Sequence, residues 1–181
     1  GKKDCLDTDC STLQMCAGES CLNPLLVNNG VSIGADDDGA VFNYTGTTTG
    51  AQPTYTTNCA AGSAGAPDNV YSFTLDVVAQ VTMTQSFTSA YDYPTMYLYG
   101  NTCVPASQIR CNNGGYDKAA LIQEVLEPGT YYAVFDASYD YMDGPYNGQF
   151  SIMIPTSTET ICDDGVDNDL DEFFDCCDSD C

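Results

Sequence analysis

Short segments in which apolar and polar residues take turns fill the middle of this 181-residue chain, and they leave little room for anything but β-structure. Tyr71, Phe73 and Leu75 alternate with Ser72, Thr74 and Asp76, and Val81 and Met83 alternate with Gln80, Thr82 and Thr84. Met96 and Leu98 alternate with Tyr97 and Tyr99, and Phe150, Ile152 and Ile154 with Ser151 and Met153. A period of two sets one face of each strand on a core. Further strands are expected over 31–35, 40–45, 107–111, 119–126 and 130–136. Pro128 and Gly129 mark a sharp turn, and the Asn and Gly pairs over 112–115 mark another. No stretch carries a capped 3.6-residue pattern of useful length. The expected fold is therefore all-β, a β-sandwich or jelly roll of eight or nine short strands. Tyr71, Phe73, Leu75, Val81, Met83, Phe135, Phe150 and Ile152 are expected to share one core between two sheets.

Composition divides the chain into three parts. A Cys-rich segment covers 1–27, the β-sandwich 28–156, and an Asp/Cys-rich segment 157–181. Within the middle part, 45–57 holds seven Thr and little apolar content, and reads as a long exposed loop or a glycosylated surface. The sequon at Asn43, Tyr44 and Thr45 makes Asn43 a glycosylation candidate.

The 26 acids are 21 Asp and 5 Glu, set against 4 basic residues and a formal charge of -22. Phosphate binding needs clustered Lys and Arg, so nucleic acid is excluded as a partner, and anionic membrane surfaces are disfavoured. No segment approaches the ~20 apolar residues of a membrane span, so direct membrane insertion is not expected. The chain has no His, which removes the commonest general base, the Ser-His triad and most zinc sites. Carboxylate-pair chemistry alone would serve an enzyme, and nothing singles out such a pair. Eleven Cys without any CxxC spacing point to disulfides formed in an oxidising compartment, and the chain reads as a mature or excised extracellular segment.

The most specific signal lies near the C-terminus. With Asp167 as position 1, Asp169 falls at 3, Asp171 at 5, the Phe173 carbonyl at 7, Asp175 at 9 and Asp178 at 12. That is the ligand spacing of a twelve-residue calcium loop, in which alternate carboxylates and one carbonyl supply hard oxygens to one centre. Glu172 replaces the usual Gly at position 6, and Asp178 is shorter than the usual Glu. The expected cofactor is Ca2+. A solvated acidic tail is the bland alternative, but nine acids lie between Asp163 and Asp180 without a base, so ordering them calls for cations.

The N-terminus repeats part of this segment. Asp4, Cys5, Asp7, Asp9 and Cys10 match Asp175, Cys176, Asp178, Asp180 and Cys181, five residues of seven. Asp4, Asp7, Asp9, Asp163 and Asp180 form a possible second metal set. The repetition is either chance in an Asp/Cys-rich chain or the mark of a tandem array or a head-to-tail junction between units.

Two resemblances rest on these residues. Cys162, Gly165, Asp167, Asn168, Asp169, Asp171, Asp175, Cys176, Asp178, Asp180 and Cys181 resemble the Asp/Cys-rich repeats of myxobacterial surface proteins, and the segment is similar to thrombospondin type 3 calcium repeats. Glu172 and Cys177 depart from the pattern. The likeness covers about 20 residues and implies calcium and an extracellular setting, not an activity. The middle part resembles the bacterial pre-peptidase C-terminal domain, through 67–75, 97–99 before Cys103, 109–112 and 126–134. That resemblance implies a non-catalytic accessory module, some of which bind calcium, so Asp68, Asp92 and Asp136 become ligand candidates beside their plainer reading as turn and strand-end residues.

Spacing suggests local loops for Cys5 with Cys10, Cys16 with Cys21 and Cys176 with Cys181, and a clipped hairpin for Cys103 with Cys111; Cys162 is a further disulfide candidate. Eleven is odd, so Cys177 or a buried Cys59 is expected free or paired between chains. Thirteen Tyr without Trp raise a sugar-stacking face, around Tyr91, Tyr93, Tyr97, Tyr99, Tyr139, Tyr141 and Tyr146, against ordinary strand and interface use. The functional expectation is a non-enzymatic, secreted, calcium-stabilised structural or adhesive surface module, the repeating subunit of an extracellular filament or tandem array. Its partner is itself, with glycans as a further possibility. The alternatives are a carbohydrate-binding accessory module of a secreted hydrolase and, third, an acidic calcium-dependent enzyme.

Overall fold

The computed structural model describes residues 18, 20–51, 54–55, 59, 66–88, 93–116, 118–137, 144–155, 162–163 and 165. Nine strands follow in chain order: β1 (Leu25–Leu26), β2 (Val41–Thr47), β3 (Asn69–Leu75), β4 (Ala79–Phe87), β5 (Pro94–Gly100), β6 (Gln108–Asn113), β7 (Ala120–Leu126), β8 (Gly129–Ala137) and β9 (Pro145–Met153). One sheet has the order β1-β3-β8-β5-β6 and the other β2-β9-β4-β7. The fold is a β-sandwich. Without β1, the two four-stranded sheets carry the strand order of a jelly roll, and β1 adds itself parallel to the free side of β3.

All eight residues expected in the core are buried together between the sheets. Phe135 and Phe150 stack at 5.8 Å between ring centroids, and Tyr71 lies 4.9 Å from Phe135. Gly148 of β9 lets the sheets approach here, since any Cβ on it would overlap the Phe135 ring. One side of the sandwich is closed by Arg110 of β6, which is ion-paired with Glu124 of β7, and by the Leu121 N–H, which donates to Asn112 Oδ1 at 3.1 Å.

Two expectations change. Segment 31–35 is not a strand: Ile33 alone bridges to Leu75, between short 3-10 turns at Val27–Gly30 and Ala35–Asp37. The first turn sets Asn28 and Asn29 at φ 51° and 53°, a left-handed geometry that no strand continues, and Asp37 Oδ2 accepts from the Gly34 N–H to start the second. Nor is 45–57 one exposed loop. Residues 45–47 complete β2, and Thr48 is fully buried, its hydroxyl accepting from the Gly144 N–H.

Burial in the five-stranded sheet goes beyond alternation, because it has something to bury on both faces. Every residue from Pro94 to Tyr99 is buried. Met96 and Leu98 enter the core between the sheets, while Tyr97 and Tyr99 join Val70 and Val134 in a second apolar cluster on the outer face. Cys21, Tyr55, Cys103 and Cys111 pack against that cluster.

Candidate functional site

Most residues of the expected calcium loop and its repeat lie outside the described residues: Asp167, Asp169, Asp171, Phe173, Asp175 and Asp178, and Asp4, Asp7, Asp9 and Asp180. Cys5, Cys10, Cys16, Cys176, Cys177, Cys181 and Asp92 lie outside them as well. Asp163 is exposed, and its neighbour Cys162 is disulfide-bonded. Asn43 is exposed on β2, where its Oδ1 accepts from Gln149 Nε2 at 2.8 Å.

The structure brings Asp68 and Asp136 together under the outer cluster. Strand alternation turns Asp136 to that face, one step beyond Val134 on β8. Both aspartates are fully buried. Asp68 Oδ2 accepts the backbone N–H groups of Thr54 and Tyr55 at 2.9 and 2.8 Å, which pins these two residues over the sheet. Asp136 Oδ2 accepts the Tyr97 hydroxyl and its Oδ1 accepts the Ala137 N–H at 2.6 Å. Burial pushes the Asp136 carboxyl up to about 8, against these two hydrogen bonds, and the charge of Asp68 adds to the rise. Tyr99 is likewise pushed up to about 12, by burial first and then by Tyr55 and the two aspartates.

As calcium ligands the pair fits poorly. Three of its oxygens are engaged by N–H or O–H donors, and among the described residues no three His, Cys, Asp or Glu side chains gather closely enough to hold a metal ion. The arrangement reads instead as an internal fastening: Asp68 ties Thr54 and Tyr55 to the sheet, and Asp136 ties β8 to Tyr97 of β5.

Two disulfides complete that fastening. Cys21 is bonded to Cys103 and Cys59 to Cys111, with Cα separations of 6.1 and 6.2 Å. This corrects the expected Cys103–Cys111 and Cys16–Cys21 bridges, and Cys59 is not a free thiol. The β5–β6 hairpin is already closed by its own ladder, so an internal clip would constrain little. Bridges across 82 and 52 residues instead remove far more freedom from the unfolded chain. The Cys21 N–H also donates to the Tyr55 hydroxyl at 3.0 Å, joining the two fastened segments to each other.

Burial of Tyr97, Tyr99 and Tyr146 corrects the sugar-stacking set, because a stacking ring must be open to its ligand. Tyr71 and Tyr146 share a hydroxyl contact of 2.8 Å inside the core. Tyr91, Tyr139 and Tyr141 lie outside the described residues, while Tyr93 meets Tyr116 edge-on at 5.5 Å. Sequence reading missed Tyr55 and Gln85. The latter extends the β4 alternation into the core, where its Nε2 donates to the Asp136 carbonyl at 3.1 Å.

No protein family's model matches the chain, and no curated protein matches it. Among solved structures it is similar to the pre-peptidase C-terminal domain of a collagenase from Bacillus anthracis, at 15% identity and a TM-score of 0.43, covering 67% of this chain and 93% of that one. A periplasmic inhibitor of g-type lysozyme from Aeromonas hydrophila matches at 14% identity and 0.41, over 71% and 96% of the two chains. The Yersinia pseudotuberculosis-derived mitogen matches at 14% and 0.39, over 67% and 92%.

Proposed function

We propose that the chain is a non-enzymatic, secreted structural or adhesive module that repeats end to end through calcium-bridged junctions. The observation that carries this reading is the polarity of the sandwich. The chain enters beside Asn69, where Gly18 accepts the Val70 N–H at the pole where β3 begins. It leaves after Met153 at the other pole, beside the start of β4, where the Ile154 N–H donates to Asp38 Oδ1 at 2.8 Å. Strands of seven to nine residues hold these points roughly 25 Å apart, at about 3.3 Å per residue. The attachment points of the two Asp/Cys segments therefore lie at opposite poles, which supports an end-to-end arrangement of units.

Two such acidic segments repel unless a cation lies between them, so calcium is assigned the bridge. The disulfide-fastened sandwich then serves as a rigid spacer. Electron microscopy and sedimentation of the full chain test this. Filaments or end-to-end oligomers should form in calcium, vanish in chelator, and not return with monovalent salt, which screens without coordinating. Removing residues 1–10 should abolish them while the sandwich stays folded. A monomer in calcium at high concentration would sink the reading and move the carbohydrate-binding accessory module ahead.

A further inference from the structure

The two sides of the sandwich end differently. The β6–β7 side is closed by the Arg110–Glu124 pair, whereas the opposite side leaves β2 as an edge strand whose only strand partner among the described residues is β9. β2 is seven residues long and contains no charge and no Pro, although the chain carries 26 acids. Natural edge strands are commonly blunted by Lys, Pro or shortness, and β2 has none of these.

Its backbone direction is defined. Ile152 N–H donates to the Ala40 carbonyl at 2.9 Å and Thr48 N–H to the Gly144 carbonyl at 3.0 Å. Even-numbered residues thus bond inward to β9, and alternation turns the N–H and C=O groups of Val41, Asn43 and Thr45 outward. The Thr47 N–H points the same way, while its carbonyl accepts from Asn69 Nδ2. Nearby apolar side chains are exposed, with Leu26 at 53%, Val31 at 64% and Val41 at 50%.

We propose that β2 is a self-pairing edge, through which two copies of this chain join antiparallel about a two-fold axis at Tyr44. The occupant is a second copy for two reasons. First, the strand complements itself: the axis sets Val41 across from Thr47 and Asn43 across from Thr45 with their outward backbone groups facing, and it sets the large Phe42 across from the side-chain-less Gly46. About six backbone hydrogen bonds would form. Second, two chains of charge -22 can approach only where charge is absent. The solvent face beside β2 meets that condition, since Gln149, Thr82 and Gln123 continue its uncharged surface across the sheet. The pairing would yield one eight-stranded sheet, lateral to the end-to-end junction and independent of calcium.

Sedimentation of the full chain, produced without glycosylation and held in chelator, tests this apart from the filament reading. A dimer is expected. Asn43→Lys/Thr45→Lys places like charges across the axis and should weaken it at least about tenfold, whereas Asn43→Asp/Thr45→Lys places opposite charges there and should restore it. Melting temperatures of the two variants control for folding. Thr45→Pro removes an outward N–H from the edge while leaving the β9 ladder, and should also disperse the dimer. A monomeric chain in chelator, or a dimer equally tight in all three variants, would overturn the proposal.

Discussion

Tyr97 donates its hydroxyl to Asp136 with both side chains fully buried, on the face of the sheet that an ordinary half-exposed strand would offer to water. Asp68 lies close enough to raise the Asp136 carboxyl further. Two acids are thus fully buried in a chain that has nineteen other aspartates to place (21 less these two). Burial of one favours its neutral form, and a carboxyl neutral near pH 7 does not repel its neighbour.

Stability should therefore depend on pH through Asp136. Its folded value, about 8, lies above the roughly 3.9 of an unfolded Asp, so between these values the folded state holds the extra proton. The stabilisation is fully present below the unfolded value and is lost as pH rises through the folded one, with a slope of at most about 1.4 kcal/mol per pH unit. Denaturant titrations between pH 5 and pH 9, comparing the native chain with Asp136→Asn, should show a shallower decline in the variant. Equal slopes would mean that Asp136 is ionised in the folded state throughout.

Phe73 stacks on Tyr131 at 5.5 Å and meets Phe150 edge-on at 5.8 Å. Phe73→Ala should cost on the order of 3–5 kcal/mol, because the rings around it belong to both sheets and cannot collapse into the space. Thr82→Ala, on the solvent face of β4, should stay within about 0.5 kcal/mol. Near-equal losses in urea unfolding would contradict this assignment of faces.

The two long-range disulfides should dominate resistance to unfolding. Loop-closure entropy assigns each about 4 kcal/mol from its separation of 82 or 52 residues. Cys21→Ser/Cys103→Ser and Cys59→Ser/Cys111→Ser should each lower the melting temperature substantially. Peptide mapping without reductant should recover the same two pairs. A linked Cys103 and Cys111 would refute the assignment.

Calcium should bind the C-terminal segment through Asp167, Asp169, Asp171, Asp175 and Asp178, with the Phe173 carbonyl. The expected calorimetric result is calcium heat in the native chain and its loss in Asp169→Ala/Asp171→Ala. Binding to the folded form alone also raises the melting temperature, so chelator should lower it in the native chain and not in the variant. Identical heats from the two proteins would remove the ligand assignment.

The alternation of Tyr71, Phe73 and Leu75, and its counterparts in β4, β5 and β9, determined by itself that these segments are strands and which side chains meet between the sheets. That information is local: a strand's period of two sorts its side chains wherever it pairs. Whether the opposite face meets water is not local. Tyr97 and Tyr99 have the same pattern whether exposed or covered, and only the packing of Cys21, Tyr55 and Cys103 over the sheet decided that they are buried. The same covering chose the partners of Cys103 and Cys111, because a disulfide follows proximity in space, while the β3–β8 register, with Asn69 opposite Phe135, drew Asp68 and Asp136 from 68 residues apart into one buried site.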